Sequence, residues 1–170
     1  MRQPVQDSKL AAQRATNVYL ENIFQDTSMQ LSRFTDYTLR VLFYVAINNE
    51  RLTTLHEIAD FYQISVEHLR KVVHALSKSG HLKTYRGQKG GIKLNLAPAD
   101  INLGAIVSQS EGTSPLIDCE SQPCRLAGIC NLQSALADAQ RAFMASLAQY
   151  SLADMLDSPR MQQQLISKSG

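Results

Sequence analysis

Apolar and polar positions change period along the chain, and the changes mark its elements. From Ser32 to Asn48 apolar residues recur at helical spacing (Phe34, Leu39, Leu42, Val45, Ala46), which predicts an amphipathic helix. Ser32 or Thr35 suits its N-cap, and Asp36 falls in an early turn, where the helix dipole favours an acid. Thr54, with Glu57 three residues later, is a capping box for a short helix with Leu55, Ile58 and Ala59 inward, ending near Tyr62 and Gln63. Ser65 caps the next helix, which turns Leu69, Val72, Val73 and Leu76 inward and closes at Lys78-Ser79-Gly80. After Gly80 the period becomes two. Leu82 to Arg86 predicts a strand and Gly87 to Gly91 a turn. A second strand follows, with Ile92, Leu94 and Leu96 on one face. Beyond Pro98, Ile101 to Ser110 predicts a short helix with Leu103, Ile106 and Val107 inward. Asn131 suits the cap of a long helix reaching about Tyr150, with a stripe of Leu132, Leu136, Ala139, Phe143, Leu147 and Tyr150.

These elements predict a mainly α fold with a small β-hairpin wing: a winged helix–turn–helix plus a long dimerisation helix. Residues 1–28 form an N-terminal extension without a core face, read as disordered or marginally helical, and Met29 is a natural start for the organised pattern. Residues 29–98 are the DNA-binding domain, 99–130 a short helix and a cysteine loop, 131–156 the dimerisation helix, and 157–170 a polar, flexible tail. The stripe on the long helix is spaced for lengthwise packing on another helix. Little else in the chain is left to cover it, so a homodimer seam is expected.

Two short helices joined by a tight turn, with small Ala59 in the first and Ile64 at the corner, make a helix–turn–helix pattern, and the hairpin after it is a wing. A recognition helix meets base edges with its N-terminal residues. Ser65, His68, Arg70 and Lys71 are therefore the expected DNA contacts. Arg70 can fork onto a guanine edge, and Lys71 can neutralise phosphate. In the wing, Arg86 and Lys89 flank glycines that permit close approach, and a wing arginine suits a narrow minor groove. His68 and His74 lie six apart, off a common face, and do not suggest a metal site.

Charge supports this division. The net charge is only +2, but residues 29–98 carry ten Lys/Arg against five acids, while 99–170 carry four against seven. One basic half implies a polyanion partner on that side alone. No apolar stretch is long enough for a membrane span, and no signal sequence precedes the pattern, so a cytoplasmic location without membrane contact is expected.

The three cysteines, Cys119, Cys124 and Cys130, lie within twelve residues at C-x4-C-x5-C spacing. An odd count in a reducing compartment argues against a disulfide framework, and the spacing is not the C-x2-C knuckle of structural zinc. Pro123 and Gly128 bend the loop, and three converging thiolates suit an iron–sulfur cluster. The positive end of the helix after Cys130 would favour that negative charge. Zinc with a fourth ligand and a thiol-based switch are the competing chemistries. One ligand is missing for a cluster, and an incomplete set suits a sensor better than an electron carrier. No acid–base pair or substrate-binding glycine loop points to an enzyme.

The order helix–turn–helix, wing with RGQKGGIKL, three-cysteine loop and long helix resembles the iron–sulfur winged-helix transcription regulators from Met29 to about Asp157. The opening MQLSRFTDYTLR, the closing YSLADML and the C-x4-C-x5-C spacing resemble the nitric-oxide-sensing branch. The branch that reports iron–sulfur status has one more residue in the first gap and a histidine three residues after its last cysteine. Here that position is Gln133. The resemblance implies a 2Fe–2S or 4Fe–4S cluster held by Cys119, Cys124 and Cys130, with Asp36 of the partner subunit as fourth ligand. It implies a repressor that holds a pseudo-palindromic DNA operator as a homodimer and releases it when nitric oxide attacks the cluster. A regulator of iron–sulfur status is the alternative, and a thiol- or zinc-based redox or metal-handling protein a more distant one.

Overall fold

In the computed structural model, which describes residues 30–87, 90–112, 114–119, 121 and 123–166, the first element is helix α1 (Arg33–Ile47). Ser32 is its N-cap, accepting the Thr35 N–H at 3.2 Å. The buried face differs from the expected one. Thr35, Thr38, Val41, Leu42, Tyr44, Val45 and Ala46 point inward, while Phe34 is exposed. Thr38 can be buried because its hydroxyl donates to the Phe34 carbonyl at 2.7 Å, which leaves no unsatisfied polar group.

Helix α2 (Leu55–Tyr62) starts at the Thr54–Glu57 capping box, and α3 (Val66–Lys78) at Ser65, as the sequence predicts. Between them Gln63 takes a left-handed conformation (φ +54°), and the Ile64 N–H bonds the Ala59 carbonyl at 3.0 Å. The Glu57 carboxylate also receives the Tyr44 hydroxyl at 2.9 Å and the Arg51 guanidinium, which ties α2 to α1. Burial alone would raise the Glu57 pKa, but the hydrogen bonds from Arg51 and Tyr44 outweigh it and hold the carboxyl below its ordinary value.

Strands β1 (Leu82–Tyr85) and β2 (Gly91–Leu94) pair antiparallel, Leu82 opposite Leu94 and Tyr85 opposite Gly91. Thr53 adds a bridge, exchanging two backbone hydrogen bonds with Ile92 and joining the wing to the start of α2. Leu96 lies past the end of β2 and is exposed, unlike the expected inward face. A 3-10 turn (Pro98–Asp100) leads to α4 (Leu103–Glu111), capped by Asn102, with Leu103, Ile106 and Val107 buried as expected.

The C-terminal part departs most from the sequence reading. The expected dimerisation helix, 131–156, is two helices, α5 (Asn131–Leu147) and α6 (Leu152–Leu156). The break has one local and one long-range cause. Ser151 and Asp154 form a second capping box, and the chain at 150–152 pairs with 101–103 through Leu103 N–H to Tyr150 O (3.0 Å) and Leu152 N–H to Ile101 O (2.8 Å). The segment expected as a flexible tail contains helix α7 (Pro159–Ile166), whose Leu165 is buried. Proline at its first position and Leu165 at the core side make that helix possible. Residues 1–28 and Met29 lie outside the described residues.

From Ser32 onward one apolar core joins these parts. Val41, Leu42 and Val45 of α1 meet Ile58 of α2, Leu69 and Val72 of α3, Ile92 of the wing, Ile106 of α4, Leu152 and Leu156 of α6 and Leu165 of α7. No helix among the described residues is long and apolar enough to cross a membrane. Gly104 in α4 lies so close to the end of α5 that a Cβ there would stand 2.8 Å from the Ala148 nitrogen. Alanine is the better helix former by about 1 kcal/mol, yet Gly104→Ala is expected to destabilise the fold by about 1–3 kcal/mol through overpacking. Urea denaturation checks this, and an unchanged or higher midpoint contradicts the close crossing.

Candidate nucleic-acid interface and cysteine loop

Helix α3 buries one face and leaves the other free. Leu69, Val72, Val73 and Leu76 are buried, whereas Ser65, Glu67, His68, Arg70, Lys71 and His74 are exposed. The predicted contacts of this helix thus share an open surface. Ser65 accepts the His68 N–H at 3.3 Å, and its hydroxyl lies 2.9 Å from the His68 ring Nδ1, so the cap also orients the histidine. Arg70 is held by Glu67 at 2.8 Å across one turn, an exposed pair that steers the guanidinium more than it stabilises the helix. Lys71 makes no ion pair among the described residues.

Arg86 follows β1 on the wing and is exposed, next to Gly87 at φ +104°. A non-glycine residue would be strained there. Lys89, the other expected wing contact, lies outside the described residues.

Asp36 occupies the first turn of α1, half exposed, and accepts the Arg40 Nε–H at 2.8 Å. That hydrogen bond raises the Arg40 pKa against the opposing effect of burial. The same turn reaches α3 and α2, one contact each. The Tyr37 ring lies 6.0 Å from the His68 ring on α3, and the Arg40 guanidinium lies 5.5 Å from the ring centre of Tyr62 at the end of α2. Burial pushes the Tyr62 hydroxyl up to about 12. Sequence spacing signals the Asp36–Arg40 pair, four apart on one helix. It carries no signal for Tyr37 and Tyr62, whose partners are remote in sequence.

The cysteine loop leaves α4 at Gly112 and enters α5 at Cys130, which is the helix N-cap in place of the expected Asn131. The Gln140 amide on α5 donates to the Ser114 carbonyl at 2.9 Å and anchors the loop's beginning. Two turns shape its second half, Ala127 N–H to Cys124 O and Ile129 N–H to Leu126 O, with Gly128 at φ +81°. Cys119 and Cys130 are partly buried, Cys124 is exposed, and all three are free thiols. No three His, Cys, Asp or Glu side chains among the described residues are grouped as a metal site, so the thiols do not converge here. Their chemistry nonetheless fits an iron–sulfur cluster: three soft ligands on one loop, none taken by a disulfide.

Helix α5 has no buried residue. Leu132 and Phe143 are 60% and 48% exposed, and Leu126 and Ile129 of the loop are 56% and 78% exposed.

The chain matches the model of the Rrf2 family, described as iron-dependent transcriptional regulator, over residues 31–158. It is 41% identical over 132 residues to the HTH-type transcriptional regulator NsrR of Halalkalibacterium halodurans, covering 75% of this chain and 90% of that one. It is also 41% identical over 133 residues to the protein of that name in Geobacillus kaustophilus, covering 76% and 90%. Among solved structures it resembles T. potens IscR (TM-score 0.63, 26% identity, 76% of this chain and 87% of that one). It also resembles CymR, the global cysteine regulator of B. subtilis (TM-score 0.59, 27% identity, 76% and 97%).

With all three thiols free, a thiol reagent is expected to titrate three cysteines per metal-free, reduced chain, Cys124 fastest. Mass spectrometry of partly labelled protein reads the order, and a first label on Cys119 or Cys130 contradicts the exposures. The helix–turn–helix with its wing, the loop and these likenesses agree: the chain belongs to the Rrf2 family of transcriptional regulators, in its NsrR-type branch.

Proposed function

We propose that the protein is a homodimeric repressor, acting in the cytoplasm, that occupies a pseudo-palindromic operator while an iron–sulfur cluster is bound and releases it on exposure to nitric oxide. The observation that carries this reading is the free three-thiol loop on a chain whose recognition helix hangs on the α1 turn bearing Asp36. Cys119, Cys124 and Cys130 would hold the cluster, with Asp36 of the partner subunit as the fourth ligand. When bound, the cluster supplies iron that nitric oxide can attack.

The chain's own residues supply the rest. The uncovered face of α5 pairs two subunits, and two recognition helices about 34 Å apart match one turn of DNA. Ser65, His68 and Arg70 meet base edges, Lys71 and Lys89 meet phosphate, and Arg86 enters the minor groove. Asp36 leaves Arg40 to serve the partner's loop and returns to it when the loop opens. Tyr37 and Arg40 move with that turn, and through His68 and Tyr62 they carry its displacement to the DNA-reading helices. The two arrangements form a two-state equilibrium biased by the loop.

Anaerobic purification followed by nitric oxide titration in a DNA-mobility assay tests the proposal. The cluster-loaded protein is expected to bind and then release. Cys119→Ala, Cys124→Ala and Cys130→Ala should each lose the cluster-dependent binding. Tight, sequence-specific binding by all three variants sinks the reading, as does full occupancy after nitric oxide. A response to cluster supply without one to nitric oxide identifies a regulator of iron–sulfur status instead.

On the DNA side, Lys71→Ala is expected to weaken binding to all sequences alike and to lower the slope of log K against log salt by about 1. A loss confined to the operator would instead place Lys71 on a base.

A further inference from the structure

Glu111 is the last residue of α4, and the cysteine loop begins at the next position. Its Oε1 accepts the backbone N–H of Ser32 at 2.7 Å and the hydroxyl of Thr35, a fully buried side chain. These contacts span 79 and 76 residues of sequence. Ser32 already caps α1 with its own hydroxyl, so α1 does not need the carboxylate to start. The bond from Glu111 is an added tie between the stem of the cysteine loop and the turn that carries Asp36. Burial alone would raise the Glu111 pKa, but the hydrogen bonds from Thr35 and Ser32 outweigh it, so the group is held as an anion at the positive end of α1.

We propose that Glu111 is a positioning residue that couples the cysteine loop to the first turn of α1 within one subunit. The proposal rests on the sensing role described above, but the tie itself is present without a cluster. A loop closed on its ligands keeps the end of α4 in place, and Glu111 then holds Ser32 and Thr35 so that Asp36 faces the partner. A loop that opens releases the end of α4, and the turn follows.

Glu111→Ala and Glu111→Gln, made in the full chain, test the coupling, because glutamine keeps an accepting oxygen and loses the charge. Hydrogen exchange is read first, on cluster-free protein before and after alkylation of the three cysteines with N-ethylmaleimide. In the wild type, alkylation is expected to speed exchange across residues 32–40. In Glu111→Ala, exchange there should already be fast and should not respond, while Glu111→Gln should respond as the wild type does. Operator affinity is then compared before and after nitric oxide. Glu111→Ala should keep the cluster's visible absorbance yet show a ratio about fivefold or more below that of the wild type, within the usual range of coupling between sites. An exchange response in Glu111→Ala equal to the wild type's, or no response in the wild type, overturns the coupling. Fast exchange with an unchanged affinity ratio also overturns it, because the tie is then only structural. If the wild type carries no cluster or ignores nitric oxide, the sensing role fails, and the exchange response alone then decides the coupling.

Discussion

The buried face of α1 is the constraint on which the other elements depend. Val41, Leu42 and Val45 are almost completely enclosed, and the residues enclosing them come from α2, α3, the wing, α4, α6 and α7. The recognition helix therefore has no core of its own. Its position is set by what α1 allows, and the same holds for α4, which carries the stem of the cysteine loop. Close-packed interiors respond to a shift by moving to another packing instead of deforming smoothly. A single shared core makes α2, α3 and the loop's anchor on α4 parts of one mechanical unit.

Polar bonds define how that unit is held at the two ends of α1. At its C-terminal end, Tyr44 and Arg51 donate to Glu57, and Asn48 bonds the Tyr44 carbonyl and the Arg51 guanidinium, fixing α2 against α1. At its N-terminal end the ties are exposed or partly so: Asp36 with Arg40, and Glu111 with Ser32 and Thr35. Exposed pairs contribute little to stability.

Much of this architecture was legible in the sequence. The capping residues Ser32, Thr54 and Ser65, the inward residues of α3 and the two strands lie where periodicity and cap chemistry put them, because those signals are local. Three features were not legible for the same reason. Thr35 and Thr38 look polar, and only hydrogen bonds make them core residues, Thr38 to the Phe34 carbonyl and Thr35 to Glu111, 76 residues away, so the buried face of α1 departs from the apolar periodicity around Phe34. The break between α5 and α6 follows from pairing with residues 101–103, a contact across nearly fifty positions. The helix at Pro159–Ile166 depends on Leu165 meeting α1, and a lone leucine in a polar stretch predicts nothing by itself. The cysteine loop was legible as chemistry through its residue types and spacing, but its conformation was not.

That last distinction bears on how such a loop can report on its ligands. A helix or strand holds its shape through its own ladder of hydrogen bonds, and so it would keep three thiols in place whether or not anything bound them. Among its described residues the loop after Gly112 is shaped by turn bonds, by Ser121 bonding Asp118 and by an anchor to Gln140, and its thiols do not converge. Closing it must therefore draw on the binding energy of whatever the thiols hold, a coupling of metal binding to folding. A rigid, preformed site would bind more tightly but would change little on loss of its occupant. In the proposed coupling, loss of the occupant moves the loop's stem, and that stem ends at Glu111, against the start of α1.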